Sequence, residues 1–102
     1  MTEETTTKER TETNEIFIGN KPFMKYVIAT IIQIKSNNSS AIKARGKFIS
    51  RAVDVAEVVK KRLKESDNIE LGEEIKIGSE GFKNEEGKNI NVSTIEISLS
   101  KK

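Results

Sequence analysis

Residues 42–64, IKARGKFISRAVDVAEVVKKRLK, change their apolar period at a glycine. Before Gly46 the chain alternates, with Ile42 and Ala44 on one side of an extended segment and Lys43 and Arg45 on the other. After it, Ile49, Ala52, Val53, Ala56, Val59 and Leu63 recur at helical spacing, which predicts a helix over about residues 48–64 with that stripe inward. Its outer face carries Arg51, Asp54, Glu57 and Lys61, and Glu57 with Lys61 is expected to form an i,i+4 ion pair.

The remaining segments arrange themselves around this strand-helix unit. Upstream, Glu15–Ile18 (EIFI) reads as a short strand, and Gly19 to Lys21 as a turn into a helix over Phe23–Lys35 with Pro22 at its first position. That helix is apolar around most of its circumference, so it is expected to be covered on more than one side. Ser36–Ser40 (SNNSS) reads as a loop and Ala41–Arg45 as the second strand. Downstream, Ile69–Ser79 and Val92–Leu99 alternate around a turn at Asn84–Asn89, with Ile95, Ile97 and Leu99 inward. The order β-α-β-α-β-β predicts an α+β two-layer sandwich: a small mixed sheet, two helices on one face and a long C-terminal β-hairpin. Residues 1–14 (MTEETTTKERTETN) hold almost nothing apolar and read as a disordered acidic, Thr-rich tail before a single domain over residues 15–102.

Composition removes most enzyme chemistries. The chain has no cysteine and no histidine, hence no thiol nucleophile, no disulfide, neither of the commonest zinc ligands and no side chain that ordinarily titrates near pH 7. No cofactor or metal is expected. The longest apolar run, around Tyr26–Ile32, is too short for a membrane span, so the chain reads as soluble and cytoplasmic. With 34% hydrophobic against 33% charged residues, it leaves room for a partner chain to complete the core.

The net charge of +2 conceals a strong division. Residues 21–64 carry eleven Lys or Arg against Asp54 and Glu57, a net of +9, whereas residues 65–100 carry a net of −6. A basic block of this kind points to a polyanion. Within it, Lys43, Arg45 and Lys47 flank Gly46 as a short basic ridge, and Lys21 stands in the turn before the first helix. The lysines and arginine at positions 60–64 have a simpler use, since cations at a helix C-terminus are stabilised by its dipole. The five aromatics read mostly as core, with only Phe82 exposed, and Asp54 with Glu57 reads as part of a surface ion network rather than a catalytic pair.

Three separated motifs in order, IGNKPFMKYV, IKARGKFISRAVDVAEVV, and IGSE followed by VSTIEISL, resemble the Alba family of archaeal chromatin proteins across residues 15–102. The resemblance implies the same β-α-β-α-β-β fold and a homodimer that coats double-stranded DNA without strong sequence preference, condenses it on the chromosome in the nucleoid, and also binds RNA. It places nucleic-acid contacts at Lys21, Lys43, Arg45 and Lys47, and at Lys83 and Lys88 in the hairpin arm. It makes Lys21 an acetylation candidate, although Asn20 replaces the first of the family's paired loop lysines. It also places Leu63 where family members carry a Phe between neighbouring dimers. The acids Glu80, Glu85 and Glu86 around the arm imply weaker binding there. The alternatives are an RNA-binding subunit of a ribonucleoprotein such as ribonuclease P, and a small regulatory or scaffolding domain.

Overall fold

The structure is a computed structural model that describes residues 14–102. The stretch read as a tail lies outside the described residues except for Asn14, whose carbonyl accepts a hydrogen bond from Ala41 N at 2.8 Å. The chain forms β1 (Glu15–Phe17), α1 (Phe23–Asn37), β2 (Ser39–Arg45), one 3₁₀ turn (Gly46–Phe48), α2 (Ile49–Asp67), β3 (Leu71–Lys83) and β4 (Asn89–Lys101). The four strands lie in the order β1-β2-β4-β3, with β1 parallel to β2 and the other neighbours antiparallel. This is the mixed-sheet α+β architecture expected from the alternation of periods.

Strand alternation and the helical stripes meet in one core. Ile16, Ile42, Ala44, Ile95, Ile97 and Leu99 are buried on one face of the sheet, where they join Val27 and Ile34 of α1 and Ala52, Val55, Ala56, Val59 and Leu63 of α2. Val53 is not part of that stripe. It follows Ala52 by about 100° round the helix and is 40% exposed, while Val55 takes the inward place. On α1, Met24, Ile28 and Ile32 form a second apolar row that the chain itself leaves exposed, so only one side of this helix is covered.

Several boundaries differ from the sequence reading for local reasons. Pro22 is the residue before α1 rather than its first, with ψ of 141°. No five-residue loop follows α1: the helix runs to Asn37, Asn38 turns the chain with φ of 73°, and β2 starts at Ser39. An asparagine tolerates this left-handed conformation better than most side chains, which permits a one-residue connection. The hairpin is longer than its apolar alternation indicated, because backbone pairing continues to Lys83↔Asn89.

Charges fasten α2 to β3. Lys60 bonds Glu73 at 2.6 Å and Glu57 at 2.9 Å, so Glu57 pairs three residues on with Lys60 and not four residues on with Lys61. Lys64 pairs with Glu70, and Lys35 of α1 pairs with Asp67 at 2.7 Å. The hydrogen bond to Glu73, then that to Glu57, raises the Lys60 pKa above the ordinary lysine range. A raised lysine contributes stability that is complete below its unfolded pKa and is lost as pH rises through the folded value. Denaturant titrations of the chain and its Lys60→Met variant should therefore differ at neutral pH and converge in strongly alkaline buffer. Leu63→Ala, at a fully enclosed position, should cost about 2–5 kcal/mol of unfolding free energy.

Candidate nucleic-acid interface

The loop between β1 and α1 is held from below by a phenol. Tyr26, buried on the first turn of α1, accepts hydrogen bonds at its hydroxyl oxygen from Gly19 N at 2.8 Å and Lys21 N at 2.9 Å. A second restraint comes from α2, where Arg51 Nη2 donates to the Lys21 carbonyl at 3.3 Å. With its backbone tied at both ends of this short turn, Lys21 projects into solvent. Beside it, Asn20, Lys47, Ser50, Arg51 and Asp54 border a shallow groove at the start of α2. The Arg51 Nε is buried there and has no hydrogen-bond partner among the described residues.

Gly46 sets the direction of the basic ridge. Its φ of +59° is in the left-handed region that glycine enters without penalty, and the 3₁₀ turn that starts there leads into α2. As a result Lys43 and Arg45 stand on the sheet face opposite the helices, while Lys47 lies at the helix entrance with its ammonium 5.5 Å from the Phe48 ring centroid.

The candidate residues do not form one cluster, and two of them already have acidic partners. Lys43 bonds Glu15 at 2.8 Å, and that hydrogen bond, partly opposed by desolvation, raises its pKa and keeps it charged. Arg45 bonds Glu80 at 2.8 Å, with the two side chains 67% and 57% exposed. A pair so open to water is worth about 0–1 kcal/mol, little enough for a phosphate to displace the carboxylate. Lys21 and Lys47 make no ion pair among the described residues, nor do Lys83 and Lys88. Those last two sit at the hairpin tip, which Asn84 organises by accepting from Glu86 N and Lys88 N with its side-chain oxygen. From the Gly78↔Thr94 pair to the Lys83↔Asn89 pair is five residues of β3, roughly 17 Å of strand.

Three features correct or extend the sequence reading. Leu63 is 1% exposed and packed in the core, so its side chain is not available as a contact between neighbouring dimers. Phe17 is not core but 67% exposed; its neighbours Ile16 and Ile18 are buried, and alternation alone turns it to the open face. Arg51 was legible only as an outer-face cation; its link to the Lys21 loop spans 30 residues and needs the tertiary fold. Among the described residues no helix is long and apolar enough to cross a membrane, and no group of three or more His, Cys, Asp or Glu is placed to hold a metal ion.

Comparison with known proteins agrees with this geometry. The Alba family model matches residues 14–79. The DNA/RNA-binding protein Alba of Methanococcus maripaludis is 50% identical over 90 residues, covering 86% of this chain and 98% of that protein. The DNA/RNA-binding protein Alba of Nitrosopumilus maritimus is 49% identical over 86 residues, covering 84% and 88% respectively. The solved structure of Alba from Thermoplasma volcanium superposes with a TM-score of 0.72 at 44% identity, covering 84% of this chain and 98% of that one. With its motifs, its sheet order and these matches in agreement, the chain belongs to the Alba family.

Proposed function

We propose that this chain is a chromosome-associated protein that binds double-stranded DNA through its phosphates without reading sequence, coats and compacts it, and also binds RNA. The observation that carries this reading is the division of its cations. At the end of α2, Lys60 is spent on Glu57 and Glu73 and Lys64 on Glu70, while Lys61 and Arg62 face solvent. Among the described residues, Lys21, Lys47, Lys83 and Lys88 make no ion pair, and Arg45 is held only by the exposed Glu80 carboxylate. Relatives at about half identity named DNA/RNA-binding protein Alba support the same ligand class. Phosphate contacts of this kind position a duplex but carry no sequence information. Acetylation of Lys21 would remove one such charge from the exposed loop.

A second copy of the chain completes the apolar surface. Ile75 and Ile77 lie on the helix-facing side of β3, opposite Ile97 and Ile95, yet beyond the reach of either helix. Ile77 is 82% exposed. Burying two such side chains is worth roughly 1.5–3 kcal/mol each, a strong incentive for self-association.

Two measurements test these assignments. In duplex titrations at several salt concentrations, Arg45→Ala combined with Lys47→Ala should weaken unrelated DNA sequences equally and reduce the slope of log affinity against log salt by about 2. Unchanged slope would remove both residues from the interface. In light scattering, the chain should run at twice its 11.4 kDa mass, whereas Ile77→Glu should run as a folded monomer.

A further inference from the structure

One row of side chains crosses the open face of the sheet. Strand register places Phe17 beside Lys43, Lys43 beside Glu96, and Glu96 beside Lys76, so the row spans all four strands. The next row is Arg45, Thr94 and Gly78, and its small members leave a depression. Together with Lys47, Phe48 and Glu80 the two rows border an open groove of about 840 Å³, within the range of sites that hold a small organic ligand. Phe17 stands at one end, 67% exposed, with the Lys43 ammonium 5.8 Å from its ring centroid.

An exposed aromatic on an open sheet face, bordered by cations, has a specific chemical use. A flat π-face of this kind stacks an unpaired nucleobase, while lysines and arginine at the rim hold the flanking phosphates. The carboxylates in the groove do not conflict with that use. A base turned toward the sheet would meet Glu96 and Glu80 as acceptors for its exocyclic amino groups, and its flanking phosphates would meet Arg45, Lys47 and Lys76 at the rim. A duplex has no equivalent fit, because its bases already stack on one another and extracting one carries a cost.

We infer that this groove, which shares Lys43, Arg45 and Lys47 with the proposed duplex surface, adds to it a subsite in which Phe17 stacks an unpaired base of RNA. The inference rests on the nucleic-acid reading above and adds the feature that distinguishes looped or single-stranded RNA from a helix.

The sequence contains no tryptophan, so Phe17→Trp introduces a single reporter. A short single-stranded RNA should quench that indole, and the same RNA annealed to its complement should leave it bright. Phe17→Leu should weaken single-stranded RNA binding at least about fivefold, the lower end for loss of an aromatic–base stack, with duplex affinity unchanged. Phe17→Tyr should retain the affinity of the parent chain. Equal quenching by both RNA forms, or single-stranded binding unaffected by Phe17→Leu, overturns the stacking site while leaving duplex binding intact. Failure of the unaltered chain to bind either RNA or duplex DNA at low salt overturns the nucleic-acid reading itself.

Discussion

The packing of α2 against β2 and β4 is the constraint on which the rest of the molecule depends. Ala52, Val55, Ala56, Val59 and Leu63 enter the layer formed by Ile42, Ala44, Ile95, Ile97 and Leu99, and all are excluded from water. Interiors packed to this density fix the axis and rotation of a helix. Once α2 is fixed, Arg51 is carried to the Lys21 carbonyl, Lys47 is set at the helix entrance, and Lys60 is brought within reach of β3. The same strands that bury their apolar residues against α2 must present Lys43, Arg45 and Glu96 on the opposite side. The proposed binding ridge thus lies on the reverse side of the core.

Electrostatics then sorts a chain that is nearly neutral overall into surfaces of different use. The acids that follow α2 in sequence return to it in space, since Glu70 and Glu73 meet Lys64 and Lys60. This consumes two of the cations at that end of the helix, whereas Lys21 in the loop and Lys47 at the Gly46 turn have no acidic partner among the described residues. Glu80 is different, because its partner Arg45 lies on the open face and the pair remains in water. That contact holds the arginine in place at small cost to a competing phosphate.

The strand-helix junction at Gly46 was legible because two periodicities abut there without ambiguity, and the resemblance of three ordered motifs supplied the rest of the topology. What the sequence hid was of two kinds. Element ends at Asn38 and along the arm depend on a left-handed residue and on backbone pairing, neither of which leaves an apolar pattern. Contacts such as Arg45 with Glu80, 35 residues apart, depend on tertiary register. The family position of Leu63 pointed to a surface contact, but its place in the helical stripe pointed to the core, and burial decided between them. Residue type places Phe17 in the core, whereas its place in the strand alternation turns it outward.

We propose that the lysines of the Lys21 loop, the Gly46 turn and the hairpin tip, rather than Lys60 and Lys64 at the end of α2, meet the nucleic acid. Brief acylation of the chain alone and in complex with duplex DNA, read lysine by lysine by mass spectrometry, tests it directly. Protection at Lys21, Lys47, Lys83 and Lys88, with Lys35, Lys60 and Lys64 unchanged, is the predicted result. Protection confined to Lys60 and Lys64, with Lys21 and Lys47 still reactive, would contradict it.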